Sequence, residues 1–234
     1  MLRRLLLTAA LLVVVVGCGA AAGMTAGPTS RPKDVTPTGG PGEVTALPEP
    51  VTDGEVSLET ALSQRRSVRA FKTRPLTEAE LGQLLWAAQG ITGGSGGRTA
   101  PSAGALYPLE VYVATADGLF HYDVDLHALA VVSRTDLRLA LYEAAGRQTA
   151  VGRAPAVFVI AAVYERTAVK YGADRGSRYV HLEAGHAAQN LLLQAVALGL
   201  GAVPIGAFDD AGVQAALGSA EDGEPLYLIP VGQP

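Results

Sequence analysis

Among the 234 residues there is one cysteine, Cys18. A single thiol excludes a disulfide framework within one molecule and speaks against thiol-based catalysis. Positive charge is not in excess: 18 Lys and Arg face 22 Asp and Glu, giving a net charge of −4, where a nucleic-acid partner needs a basic face. No apolar run reaches the roughly 20 residues that cross a bilayer, and nothing repeats at a period of about 20 to 50 residues. Several common catalytic motifs are missing too. Ser102 stands in Pro-Ser-Ala-Gly, not in the G-x-S-x-G of a hydrolase elbow. The loop Gly93-Gly94-Ser95-Gly96-Gly97 lacks Lys-Ser/Thr and follows no strand, so it reads as a mobile loop beside an active site rather than a phosphate cradle. His181 and His186 are five positions apart, about 500° of helical rotation, and do not share a face as a zinc-binding i, i+4 pair would. No metal is expected.

What is present divides the chain into three parts. Arg3-Arg4 precede an apolar run from Leu5 to Val16 that suits the h-region of an export signal. The run ends in Val15-Val16-Gly17-Cys18, which resembles a bacterial lipobox with Cys18 as the acylated mature N-terminus. An uncleaved membrane anchor or a misplaced start codon is the alternative. Arg3-Arg4 beside Leu5-Leu6 is compatible with the twin-arginine route for folded cargo, although Leu2 occupies the place usually held by Ser or Thr. Residues 19–54 are rich in Gly, Pro, Thr and Ala and bury too little to offset the entropy of ordering, so they read as a flexible tether. Residues 55–234 suffice for one domain with a sizeable core.

Periodicity gives that domain its elements. Ser57 caps a short helix that delivers Arg65 and Arg66 at its end, and Thr77 with Glu80 forms a capping box for a helix stopped near Gly90. Residues 109–115, 118–122 and 128–132 read as strands, the first two joined at Asp117-Gly118. A helix is expected over 136–145 and a fully buried strand over 156–163. The long helix spans Tyr179 to Leu198, and short strands at 202–206 and 226–231 flank a helix near 210–217. The fold class is α+β.

Two segments carry the chemistry. Arg65-Arg66-Ser67-Val68-Arg69-Ala70-Phe71 packs three guanidinium groups and a hydroxyl into five positions, suited to a phosphate and the electron-rich edge of a planar ring. A basic cluster at a helix end also complements the helix dipole while staying solvated, so both readings of the residues stand. Pro101-Ser102-Ala103-Gly104-Ala105-Leu106-Tyr107-Pro108 offers small residues that let backbone approach a ligand. With the helix segment 182–193, the stretch 199–209 and the closing Pro230-Val231-Gly232, these segments resemble, in order, the flavin-binding signature of the nitroreductase superfamily. The wording of the second segment and Lys170-Tyr171-Gly172 resemble its SagB-type dehydrogenase branch.

The resemblance implies an antiparallel sheet flanked by helices, an intertwined homodimer, and FMN bound without a covalent link in clefts between two chains. By the same resemblance Arg65, Arg66, Ser67 and Arg69 hold the phosphate, ribityl chain and pyrimidine edge. Pro101, Ser102, Ala103 and Gly104 reach the FMN of the other subunit, and Pro204, Ile205, Gly206 and Ala207 run along the ring near N5. Gln189, beside Asn190, is equally well read as a core amide or a cofactor contact. Lys170 and Tyr171 match a pair implicated in substrate oxidation, as base and proton relay, against the alternative of a solvated lysine beside a packed tyrosine. The family commonly has a basic residue after the closing Pro-Val-Gly where this chain has Gln233, which weakens the expected grip on the phosphate. The function implied is an FMN-dependent oxidoreductase acting on a small or peptide-derived substrate; a flavin-binding module without turnover, or a flavin-free binding lipoprotein, is the alternative. Export places the domain away from cytoplasmic NAD(P)H, so another electron donor is expected.

Overall fold

Alternation of apolar residues along 109–133 and a continuous apolar run at 156–162 build the centre of one sheet in the computed structural model, which describes residues 42–218 and 223–234. Its seven strands are β1 (Val44–Ala46), β4 (Leu109–Thr115), β5 (Gly118–Asp123), β6 (Ala128–Ser133), β7 (Ala156–Ala162), β8 (Gly201–Ala202) and β9 (Glu224–Gly232), in the order β1-β6-β5-β4-β7-β9-β8. Every ladder is antiparallel. A separate two-stranded ribbon pairs β2 (Ile91–Thr92) with β3 (Gly97–Arg98), so the glycine loop is the turn of a small hairpin. The helices are α1 (Leu58–Gln64), α2 (Glu78–Gln89), α3 (Arg138–Ala144), α4 (Thr149–Arg153), α5 (Tyr164–Tyr171), α6 (Ala173–Ala197) and α7 (Asp210–Leu217). The α+β class and the mostly antiparallel sheet expected from the sequence are those observed.

Both faces of the sheet are covered, which is why β7 is buried along its whole length. One core places Val111, Val113, Phe120 and Phe158 against Leu84, Leu85, Ala184 and Leu191 of α2 and α6. The other places Tyr112, Val157 and Val159 against Leu141, Val151, Val213 and Leu217 of α3, α4 and α7. The capping box of α2 is formed as its sequence predicts: Thr77 accepts from the Glu80 amide at 3.2 Å and Glu80 accepts from the Thr77 amide at 2.7 Å. Thr77→Ala removes one of these partners and is expected to cost about 1 kcal/mol of stability in urea unfolding; no change in midpoint would contradict that role.

Three expectations are corrected, and two helices are unforeseen. The sequence extends the tether through residue 54, but β1 pairs with β6 and Leu47 is buried in the core, because three residues with period-2 pairing suffice to extend an existing edge. Helix α6 begins six residues before Tyr179, and α5 precedes it unforeseen. Helix α5 turns Tyr164, Thr167, Ala168 and Tyr171 inward at i, i+3, i+4, i+7, a stripe two turns long whose members are aromatic, polar or small and so give little apolar signal. Gly176 lets α6 pack against the backbone of Ala168, where a Cβ would come within 3.1 Å. Gly172, at φ +74°, breaks the helices apart. Helix α4 is also unforeseen, since five residues leave no period to read. The strand expected over 202–206 shrinks to Gly201–Ala202, as Pro204 has no amide to donate; Ile205 keeps an isolated pair of bonds with Leu228 at 2.8 and 2.9 Å. The signal, Cys18 and residues 19–41 of the tether lie outside the described residues.

Candidate functional site

The chemistry-bearing segments collect into two groups held by different elements. In the first, Ser57 caps the start of α1 and the chain leaves the other end extended through Arg65. Ser67 bridges Ala202 and the Val68 amide donates to the Ala202 carbonyl at 3.0 Å, so the arginine segment runs beside β8 and the 204–207 stretch that follows it. Gly201 makes this possible, because a Cβ there would meet the Val68 side chain at 2.6 Å. Arg65 is half-buried; Arg66, Ser67 and Arg69 are exposed. None of the three guanidinium groups has a carboxylate partner among the described residues, and Arg66 reaches only the carbonyls of Ser63 and Arg65, at 3.0 and 2.7 Å. Beside them Gly206 and Ala207 expose backbone, Ile205 is buried and Pro204 half-buried. The Lys72 amide donates to the Gln233 carbonyl at 2.8 Å, bringing the closing residues to the same side.

The second group is built on a strained loop. Within four residues, Gly104, Ala105 and Tyr107 have φ of +66°, +55° and +46°, an arrangement that costs of order 1 kcal/mol or more at each non-glycine position. Polar bonds hold it. The Tyr107 amide donates to Ser102 Oγ at 2.9 Å, Arg166 of α5 donates to the Tyr107 carbonyl at 3.1 Å, and the Arg98 guanidinium lies 4.4 Å from the centre of the Tyr107 ring. Arg166 is itself fixed by Glu110 at 2.5 Å, and His121 takes the other carboxyl oxygen at 2.6 Å. Burial pushes Glu110 up, but His121 and Arg166 outweigh it and hold the carboxyl below its ordinary range. The helix that carries Lys170 and Tyr171 is thus tied to the loop that carries Pro101–Gly104.

The contact between them is close. A Cβ on Gly104 would sit 2.8 Å from Lys170 Nζ and 2.9 Å from Tyr171 Oη, so the glycine leaves the space that both polar atoms occupy. Lys170 Nζ lies 5.5 Å from the centre of the Tyr171 ring, and Tyr171 packs edge-on against Tyr179 at 4.9 Å. Lys170 is exposed and Tyr171 half-buried, which leaves the pair open to a ligand.

Sequence reasoning missed the residues behind this loop. Glu183 is 2% exposed in the middle of α6, with Ser102, Arg98 and Gln89 around it. Burial drives its carboxyl up to about 7, only partly offset by those three neighbours. A charged residue in step with Val180, Ala184 and Ala187 on an apolar face was the available signal. Gln189, by contrast, points away from the core on the exposed side of α6, and its neighbour Asn190 donates to the Thr99 carbonyl at 3.1 Å. His181 is engaged by Tyr164 Oη at 3.1 Å and the Ser177 carbonyl at 2.8 Å.

The family model described as the nitroreductase family matches residues 62–233, which takes in both groups and the closing strand. This chain belongs to the nitroreductase family. Relatives agree with the assignment. The Methanocaldococcus jannaschii protein named "Putative nitroreductase MJ1384" is 45% identical over 185 residues, covering 76% of this chain and 92% of its own length. A crystal structure from Ralstonia eutropha JMP134, described in the same terms, is 35% identical with a TM-score of 0.74, covering 84% of this chain and 92% of that one. The trifolitoxin-processing protein TfxB of Rhizobium leguminosarum bv. trifolii is 32% identical over 116 residues, 44% of this chain and 30% of its own length. A nitroreductase-family protein is an oxidoreductase of the flavin-using kind. The nitroreductase fold puts the unpaired arginines beside exposed backbone, and a phosphate with a planar ring fits that donor set.

Proposed function

We propose that this nitroreductase-family protein is an FMN-dependent oxidoreductase of the SagB-type dehydrogenase kind, acting on a small or peptide-derived substrate and tethered to the outer face of the cell membrane through acylated Cys18. One observation carries the reading: Lys170 Nζ and Tyr171 Oη converge on Gly104 of the loop that resembles the flavin-binding signature. The relative named for trifolitoxin processing supports a peptide-derived substrate. When bound, FMN supplies hydride exchange at N5. Arg65 and Arg69 would hold its phosphate and pyrimidine edge, Pro204–Ala207 would border the ring, and Pro101–Gly104 would close the cleft of a second chain. Lys170 and Tyr171 then handle the proton: one removes it from the substrate and the other passes it toward solvent, Arg166 keeping their helix against the loop.

The reading implies a homodimer, in which each chain would supply one of the two groups to a shared cleft. Leu58 and Leu62 of α1 and Leu182 of α6 are 60%, 53% and 52% exposed, apolar surface that a second chain would cover. An open apolar groove of about 320 Å³ between α1, α2 and α6, lined by Leu58, Trp86 and Leu193, adjoins it. Light scattering of the FMN-loaded chain is expected to give a dimer; a monomer that keeps FMN at micromolar concentration would contradict the two-chain cleft.

Arg65→Ala and Arg69→Ala each remove charge-assisted bonds worth roughly 1.5–3 kcal/mol and should weaken FMN affinity by about ten- to a hundredfold. Unchanged flavin occupancy in both variants would reject the assignment. The activity itself is tested by following flavin absorbance under nitrogen while candidate substrates are added. Bleaching by an azoline-type peptide supports the dehydrogenase reading, and reduction by nicotinamide donors alone would favour a reductase.

A further inference from the structure

We propose that Glu183 is a positioning residue that decides whether the Pro101–Gly104 wall offers its ligand a hydrogen-bond donor or only an acceptor, acting through the Ser102 hydroxyl; this rests on the reading of that wall as part of the FMN cleft. Ser102 is the one polar side chain in Pro-Ser-Ala-Gly, and its oxygen already accepts from the Tyr107 amide at 2.9 Å. One hydroxyl proton and one lone pair remain. Behind it lies Glu183, almost wholly buried, whose carboxyl interacts with Ser102 and Gln89 while its Oε1 makes no close hydrogen bond.

The groups that face the carboxyl are few. From the β2–β3 ribbon comes Arg98, a fixed charge; from α2 comes Gln89, and from the loop Ser102, both neutral. Arg98 donates to Gln89 Oε1 at 3.0 Å, and a guanidinium only donates, so the Gln89 amide is oriented with its oxygen toward Arg98. Its Nε2 is then the atom left to act on Glu183, and it too is buried without a close hydrogen bond. The Gln89 amide and the Ser102 hydroxyl both act on the carboxyl, yet Gln89 Nε2 and Glu183 Oε1 are left without a close hydrogen bond, so the network is loosely satisfied where it meets the wall.

Proton bookkeeping gives two arrangements. With Glu183 ionised, the Ser102 hydroxyl turns its proton inward to the carboxylate, and only a lone pair faces the cleft. With Glu183 protonated by one proton from solvent, the carboxylic O–H donates to that lone pair and the serine proton turns outward. The second arrangement favours an anionic or carbonyl-rich ligand edge, both by its donor and by removal of a buried negative charge.

Two measurements on the full chain decide the matter. Without ligand, the Tyr107 amide proton resonance is expected to move in one step near pH 7 in the wild type and to stay flat in Glu183→Gln; no wild-type step, or a step that survives the substitution, overturns the proposal. In FMN titrations the wild type should bind about three- to tenfold tighter at pH 6 than at pH 8, after subtraction of the change seen in Glu183→Gln, and Ser102→Ala should lose that difference. An identical pH dependence in wild type and Glu183→Gln overturns the proposal and leaves FMN binding intact. FMN bound by no variant at any pH sinks the cleft reading instead, and the Tyr107 step, which needs no ligand, tells the two failures apart.

Discussion

Glu183→Gln is expected to stabilise the protein at pH 8 by about 2–4 kcal/mol while changing little at pH 4. The carboxyl has an ordinary value of 4.5 and is driven to about 7 by burial in the folded state. Below pH 4.5 it is neutral in both folded and unfolded chains, so an amide of nearly the same shape is close to neutral in effect. Between 4.5 and 7 the folded chain holds a proton that the unfolded chain releases, so the wild type loses stability as pH rises through that window. Above 7 both states are ionised and the full cost remains, at about 1.4 kcal/mol for every tenfold difference in proton affinity between the folded and unfolded chains. Paired urea unfolding at both pH values measures this directly. Parallel pH dependence in the two proteins would show that Glu183 ionises normally.

Lys170→Ala is expected to lower turnover of the oxidised substrate by about 10²- to 10⁴-fold with flavin content unchanged, the range of a lost acid–base group. Tyr171→Phe should fall in the same range if it relays the proton, and the two losses should be strongly non-additive because the groups act together. Gly104→Ala reaches the same result from the other side. Its Cβ would stand 2.8 and 2.9 Å from the two polar atoms, and alanine at φ +66° is strained as well. Full turnover in Lys170→Ala would move the proton transfer to another group.

Much of the fold was legible in the sequence, for reasons that differ by element. The hairpin at Asp117-Gly118, the capping box at Thr77 and the apolar run of β7 are local signals, and local physics alone produces them. The order of the five signature segments carried the family. What escaped was short or set by tertiary contact: the stripe of α5 is two turns of aromatic, polar and small residues and the helix packs closely on Gly176 of α6, and β1 is an edge strand recruited by β6. Within the site, the arginines and the Pro-Ser-Ala-Gly loop stood out as dense or unusual residue types. Glu183, Gln89 and Arg98 did not, since single polar residues acquire meaning only when the fold buries them side by side.

Whether Arg65–Arg69, Pro101–Gly104 and Pro204–Ala207 together form an FMN cleft is tested most directly by crystallising the full chain with FMN. The expected result is one FMN per chain, its phosphate against Arg65 or Arg69, its ring along Pro204–Ala207, and Pro101–Gly104 of a second chain closing the cleft. FMN bound elsewhere, or an arginine cluster that stays fully solvated at saturating FMN, would contradict it.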